Sequence, residues 1–588
     1  MTFRRPLEFV TNSRRSAVYS LNGMVSSTQP LANSAGTEIL SKGGNAMDAC
    51  VAMSACLALI EPASTGIGGD CFVLWYDSKE KKVSGLNGSG RSARNITLDW
   101  LKKSQSRDVN GFRLAEDSVF KVNVPGAICG WYDSMKKWGS GNVTFKKVLA
   151  PAIRLAEEGY PVSQISASLW KNEEEKLKRM NTKCSRETLG LFLPNGTAPR
   201  EGQVVRNPEV GRALRIISER GKKGFYEGEI AEAIIRELNS RGHVMTREDF
   251  SEHKSTFVDP ISYEFLGHKL WEIPPNGSGI IALMTLGLIK QLSTKGAVDL
   301  KKLKHNSSDY LHVIIECLKI AFKESEEYVN DYEHFHLRTG IDQNHLISQV
   351  LSDDYLYEEI KGFEMGQASD IRNVPNSIFK SDTVYFTATD KFGNACSFIN
   401  SVYEGFGSGI IVPGYGFTLH NRGGNFTLNA QSKNCIDGNK RPYHTIIPGM
   451  ITNSHGDELY ASYGIMGGYN QPQAHVQVYM NMLLFGMTPQ EALDAPRLTL
   501  TSDMRFRDED LGCGSDGPVS NGHTVVHLEE GITGDVKVEL ERRGHVVGDI
   551  VEGHARRKFG RGQIIRREGQ VWSGGSDMRG DGAAVPGG

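Results

Sequence analysis

The sequence predicts an α+β fold in which helices are layered on mostly antiparallel sheets. Three observations carry that expectation. Element signals come in clusters, in the order helices, strands, many helices, strands, helices, strands, whereas a parallel sheet would show strand and helix in alternation. No repeat of fixed period is visible. After Pro375 the pattern shifts from helical to strand-like spacing and keeps it over several successive segments.

Taken in order, a first helix is expected over residues 32–41, apolar at Leu31, Ala35, Ile39 and Leu40 and stopped by Gly43-Gly44. A second, over 46–59, is apolar on most sides and belongs in the core. Residues 72–76 and 82–86 have the composition of paired strands. Between about 144 and 330 the pattern is helical, with amphipathic segments at 145–157, 228–240 and 309–329. The charge run from Lys171 to Arg179 reads as a solvated helix face. Strands are expected at 383–389, 395–402, 417–420, 446–452 and 459–463. Two helices follow, the second announced by Thr488 as cap, Pro489 at the first helical position and Glu491 at the third.

Composition narrows the function classes. The 588 residues are 39% hydrophobic and 23% charged, with 67 basic against 69 acidic side chains. A net charge of −2 leaves no concentration of Lys and Arg to hold phosphates, so neither nucleic acid nor an anionic membrane is the expected partner. At about 150 residues per domain the length alone suggests roughly four domains. Nine cysteines without a Cys-x-x-Cys pair read as reduced, buried thiols and favour a cytoplasmic setting. The N-terminal residues lack the apolar core of a secretory signal. The longest apolar stretch, 46–60, contains Asp48 and is too short to span a bilayer. The 65 glycines exceed the usual share, which implies tight turns or backbone approached closely by something.

Several motifs can be set aside. Gly66-Ile-Gly68-Gly69-Asp70 leads into a strand, so it lacks the helix N-terminus that cradles a phosphate. His334-Phe-His336 and His523-x-x-x-His527 have no nearby Cys or carboxylate at ligand spacing, and neither a metal nor a cofactor is expected. The stretch from Ser381 to Ala395 reads on its own as a hairpin, with its turn at Asp390-Lys-Phe-Gly-Asn394.

That hairpin also carries a resemblance. Together with Gly23-Met-Val-Ser-Ser, Glu38-Ile-Leu-x-Lys-Gly-Gly-Asn-Ala-x-Asp-Ala49, Glu61-Pro-x-Ser-x-Gly-Ile-Gly-Gly69, Val124-Pro-Gly-Ala127, Gly467-Gly468, Gly486-Met-x-Pro-x-Glu-Ala-x-Asp-Ala-Pro-Arg497 and the Ser576-Asp-x-Arg-x-Asp-Gly582 tail, it resembles the gamma-glutamyltransferase family from about residue 20 to the end. The resemblance implies a four-layer αββα N-terminal-nucleophile hydrolase that cuts itself between Asp382 and Thr383. The two segments, 1–382 and 383–588, would stay associated as a heterodimer of one composite fold. Thr383 would be both nucleophile and, through its new α-amine, base. Ser401 would be the supporting hydroxyl, Gly467 and Gly468 the oxyanion amides, and Arg91 the clamp for a substrate carboxylate.

The departures from the family pattern concern the substrate. Tyr403 stands where an asparagine is usual. Gly424-Asn425, preceded by Arg422, replaces an acidic pair, and His444-Thr445 replaces paired serines. Carboxylate recognition is therefore expected to be kept and α-ammonium recognition weakened, because an amide cannot match an ammonium charge. The expected activity is amide hydrolysis on a small molecule, with γ-glutamyl compounds first. Oxamate amidohydrolase or glutaryl- and cephalosporin-type acylase activity stands as the alternative, and a non-catalytic binding homologue is the rival from another class.

Overall fold

The computed structural model describes residues 15–371, 381–502 and 524–587. Two seven-stranded sheets dominate it. The first runs, edge to edge, Ala583–Pro586, Gly23–Ser27, Ser381–Asp390, Ala395–Glu404, Asp70–Asp77, Lys82–Gly88 and Thr256–Val258. The second runs Val18–Ser20, Val571–Ser576, Arg561–Glu568, Leu459–Met466, Gly449–Asn453, His268–Glu272 and Ile261–Phe265. Every neighbouring pair in both sheets is antiparallel.

Apolar side chains fill three gaps, which makes the architecture four layers. Helices Pro30–Ser41, Ala46–Ile60, Ala127–Trp138 and Phe145–Glu158 cover the outer face of the first sheet through a core that includes Val51, Trp131 and Phe398. Helices Ile280–Thr294, Ser308–Tyr328 and Asn470–Leu483 cover the second sheet through Leu286, Phe322 and Tyr479. Between the sheets lie Met24, Phe72, Leu74, Tyr385, Met450 and Ile565. The expected αββα sandwich is thus present, and the segments on either side of residue 382 both contribute strands to each sheet.

The helix Ala46–Ile60 shows how sequence sets this order. All fifteen residues are buried, in line with its lack of a polar face. Its N-terminus is fixed by a reciprocal capping box in which Asn45 Oδ1 accepts from Asp48 N and Asp48 Oδ2 accepts from Asn45 N. The box predicted at Thr488 and Glu491 also forms. The tail motif is structural: buried Asp577 accepts from Arg497 Nη2 at 2.6 Å and from Arg579 Nη1 at 2.9 Å, and Arg579 also donates to Glu529.

Four expectations need correction. The region 144–330 also holds five strands, and the hairpin Ile261–Phe265/His268–Glu272 turns on Leu266 and Gly267, both at positive φ. Leucine is not a residue that announces such a turn, so the pattern hid it. Residues 417–420 form one isolated bridge, Ile411 to Thr418, inside an irregular passage, and the strand placed at 446–452 begins only at Gly449. The charge run breaks into two helices at Glu173, and Glu174 turns inward to bind Lys171, Lys178 and the N–H of Ala198.

Candidate functional site

Thr383 lies on Ser381–Asp390 and Ser401 on the partner strand Ala395–Glu404. Their pairing is regular from Thr389/Ala395 to Val384/Asn400 and then slips, so that Asp382 faces Tyr403. Thr383 is opposed by two residues, Ser401 and Val402, and this β-bulge re-aims the side chains beside it. Thr383 Oγ1 donates to Ser401 Oγ at 3.0 Å, with both residues buried. The bulge ends on Tyr403, whose φ of +81° is a conformation that a bulky side chain rarely adopts. Backbone strain therefore sits across the ladder from Asp382.

Ser401 Oγ also accepts from Tyr403 N at 2.9 Å and from Arg422 Nη2 at 3.2 Å. An N–H and a guanidinium thus stand behind the hydroxyl that touches Thr383. Arg422 comes from the short turn Arg422–Asn425, donates through Nη1 to Thr445 Oγ1 at 2.8 Å, and packs its guanidinium 4.2 Å from the centre of the Tyr403 ring. Burial draws its pKa down to about 10, against the pull of Tyr403 and Asp70.

Asp70 is a site residue that the sequence reading passed over. It follows the glycine cluster, accepts from the N–H of Gly90 and Gly126, meets His444 Nε2 at 3.1 Å and lies 3.6 Å from His420. Burial opposes its ionisation, but His420, the His444 hydrogen bond and Arg422 hold it well below the usual carboxylate range. His444 Nδ1 accepts from Ile446 N, so Nε2 carries the proton given to Asp70. Burial and Arg422 push the His444 pKa down to about 3, so the ring is neutral. The signal was the aspartate ending Gly66-Ile-Gly68-Gly69-Asp70, whose glycines admit backbone rather than phosphate. A Cβ on Gly69 would stand 2.3 Å from Ser401 O, and one on Gly68 would stand 2.2 Å from Thr418 O.

Gly467 and Gly468 join Leu459–Met466 to the helix Asn470–Leu483. Across the sandwich Thr387 Oγ1 meets Ser462 Oγ at 2.7 Å, and Gly464 lies against the Tyr385 ring. Gly467 and Gly468 follow directly on the end of that strand at Met466. Both have positive φ. Their carbonyls accept from Asn470 N and Gln471 N, so the pair forms the entry to a fourteen-residue helix, at its positive end.

The remaining candidates are placed differently. Asn425 donates its amide to Tyr443 O and its carbonyl accepts from Asn434, so it ties down the loop. Arg91 lies apart from the hydroxyl cluster: Nη2 meets Glu333 Oε2 at 2.7 Å and Nη1 donates to Lys254 O. Arg441 Nη1 is 3.5 Å from the same glutamate, and neither Glu333 nor Arg441 could be linked to Arg91 by spacing. The side chain of Asp382, and His523 and Cys513, lie outside the described residues. His336 binds the Ile341 carbonyl, and His527 meets Thr501. Among the described residues one group has metal-ligand geometry: His312 and Glu316, one turn apart on the helix Ser308–Tyr328, and His545, more than two hundred residues further along the sequence. Lys319 Nζ and Ser369 N already occupy the two Glu316 oxygens.

The model of the family described as Gamma-glutamyltranspeptidase matches residues 32–587. The glutathione hydrolase-like YwrD proenzyme of Bacillus subtilis is 32% identical over 97% of this chain and 99% of its own length. The oxamate amidohydrolase proenzyme of Klebsiella pneumoniae is 28% identical over 96% and 98%. Among solved structures, a cephalosporin acylase from Bacillus halodurans superposes with a TM-score of 0.82 at 36% identity, covering 99% of this chain and 98% of that one.

Proposed function

Since the chain belongs to the gamma-glutamyltranspeptidase family and is an N-terminal-nucleophile amidohydrolase, we propose that it cuts itself before Thr383 and then hydrolyses small carboxylate-bearing amides through that residue. In the first reaction the Thr383 hydroxyl attacks the Asp382 carbonyl carbon. The acyl group moves from nitrogen to oxygen, and water cleaves the ester, leaving a carboxylate on Asp382 and an α-amine on Thr383. The observation that carries this reading is the bulge, which sets Thr383 against Ser401, itself bonded by Arg422, with a strained Tyr403 opposite Asp382.

In the cut enzyme the α-amine, with an ordinary pKa of about 7.7–8.0, takes the hydroxyl proton as Thr383 attacks the substrate carbonyl. The N–H groups at Gly467-Gly468 meet the developing oxyanion. The protonated amine then gives its proton to the departing nitrogen, and water resolves the acyl ester. Fragments of 382 and 206 residues would stay together as a heterodimer, a reading supported by the strands each gives to both sheets. No described helix is long and apolar enough to cross a membrane. The eight described cysteines are free thiols, which supports a reducing, cytoplasmic setting.

The test is denaturing electrophoresis with N-terminal sequencing. We expect a small fragment beginning at Thr383 and none from Thr383→Ala. A wild-type chain that stays full-length while releasing ammonia or glutamate would sink the proposal.

A further inference from the structure

We propose that Arg422 anchors the free carboxylate of the substrate, and that the preferred substrates are therefore monoamides of short dicarboxylic acids such as oxamate rather than γ-glutamyl compounds. This rests on the reading of Thr383 as the nucleophile.

The guanidinium is fully buried, yet its two hydrogen bonds go to neutral hydroxyls, Thr445 Oγ1 and Ser401 Oγ. Its Nε has no partner. Among the described residues no carboxylate reaches it within ion-pair distance, and the two that act on it through space are committed elsewhere, Asp70 to His444, Gly90 and Gly126 and Glu404 to Asn421 and Lys176. A buried cation without a counter-ion is among the least stable arrangements a protein holds. A ligand carboxylate would supply what is missing, by the planar geometry guanidinium groups favour.

Position sets the length of that ligand. Two hydrogen bonds, of 3.0 and 3.2 Å, join the nucleophile oxygen to Ser401 and Ser401 to the guanidinium. A carbonyl under attack stands about 3 Å from the nucleophile. A carboxylate bonded directly to that carbonyl, or one carbon removed, comes to rest against Arg422. A γ-glutamyl group places four C–C bonds between the two, and its carboxylate lies about 5 Å from the scissile carbon when extended. It also carries an α-ammonium, which the guanidinium repels. One residue thus attracts the short acid and rejects the amino acid.

The experiment uses the processed wild-type enzyme and non-hydrolysable acids as competitors. We expect oxalate and malonate to inhibit at least tenfold more tightly than glutarate or L-glutamate. In Arg422→Gln, kcat/KM for oxamate should fall at least a hundredfold, with partial recovery in Arg422→Lys. The ratio of oxamate to its uncharged isostere oxamide should fall at least thirtyfold, an effect a merely structural role would not produce. Tighter inhibition by glutamate, or an oxamate to oxamide ratio that survives in Arg422→Gln, overturns the proposal. If the variants fail to process, the inhibition order in wild type decides. A wild type that is never cut before Thr383 fails the nucleophile reading instead, and sequencing of its fragments tells the two failures apart.

Discussion

Arg422 and Arg91 are in opposite electrostatic situations. Arg422 is sealed from water and, among the described residues, donates to two hydroxyls. Arg91 shares with Arg441 the carboxylate of Glu333, whose side chain is 51% exposed. A buried cation lacking its counter-ion makes a strong demand on a ligand, whereas one already matched by a solvated carboxylate makes a weak one. The contrast separates two jobs that the sequence reading assigned to Arg91 alone. On the proposed reading Arg422, beside Ser401, would be the floor that selects an acid close to the scissile bond, and Arg91 with half-exposed Glu333 would be the mouth that receives an acid farther away.

The largest expected effect tests whether both kinds of substrate share one reaction centre. Gly467→Ala puts a side chain at a φ of +140°, and its Cβ would stand 3.3 Å from Gly560. Displacing the amides beside it should lower kcat by about a hundred- to a thousandfold. The loss should be equal, within a factor of three, on oxamate and on a γ-glutamyl anilide in steady-state assays. A loss confined to one substrate would mean that floor and mouth serve different oxyanion geometries.

A smaller effect separates the floor from the mouth by acid. Folded His444 holds its pKa near 3 while the unfolded residue titrates near 6.5, so the unfolded chain binds the extra proton between these values. Its contribution to stability is complete above about pH 6.5 and is lost as pH falls, by about 1.4 kcal/mol per pH unit. The Glu333 pKa is also lowered, but there the charged form is the one favoured: burial raises it, and Arg91, Arg441 and Lys254 lower it by more, so the shift takes its titration away from pH 5–7. In an uncut Thr383→Ala background, chemical denaturation from pH 7 to 5 should therefore show a slope that His444→Gln reduces by about that amount. An unchanged slope would mean that the floor is protonated in the folded chain.

How far these regions could be foreseen depends on whether their partners are local. Helices layered on antiparallel sheets were legible because clustered patterns of period 3.6 and 2 fix which faces are buried, whereas the four-layer order came only with the family resemblance; Thr383 and Ser401 sit on a hairpin whose turn is explicit in the sequence. Asp70, by contrast, is tied to His444 across 374 residues, and Arg91 to Glu333 across 242. No periodicity encodes such contacts. The irregular passage after Glu404 was misread as containing a strand because its apolar residues alternate. Its positive-φ positions, including Phe406, Gly407 and Gly409, bend it instead around the floor and present Arg422.

The smallest expected effect is the sharpest test of the division between the two arginines. Glu333 is half exposed, so its pairing with Arg91 falls in the class of ion pairs that contribute about 0–1 kcal/mol. A substrate carboxylate that uses Arg91 must displace it and gives up at most that energy. Glu333→Gln removes the competitor while leaving a side chain of the same shape. KM for a γ-glutamyl anilide should then fall by about two- to fivefold with kcat unchanged, because the carboxylate is held equally in the ground state and the transition state. KM for oxamate, held by Arg422, should stay as it was. An equal fall for both substrates would place every carboxylate at the mouth and abolish the distinction. No change for either would leave Arg91 and Glu333 as a surface pair without a part in recognition.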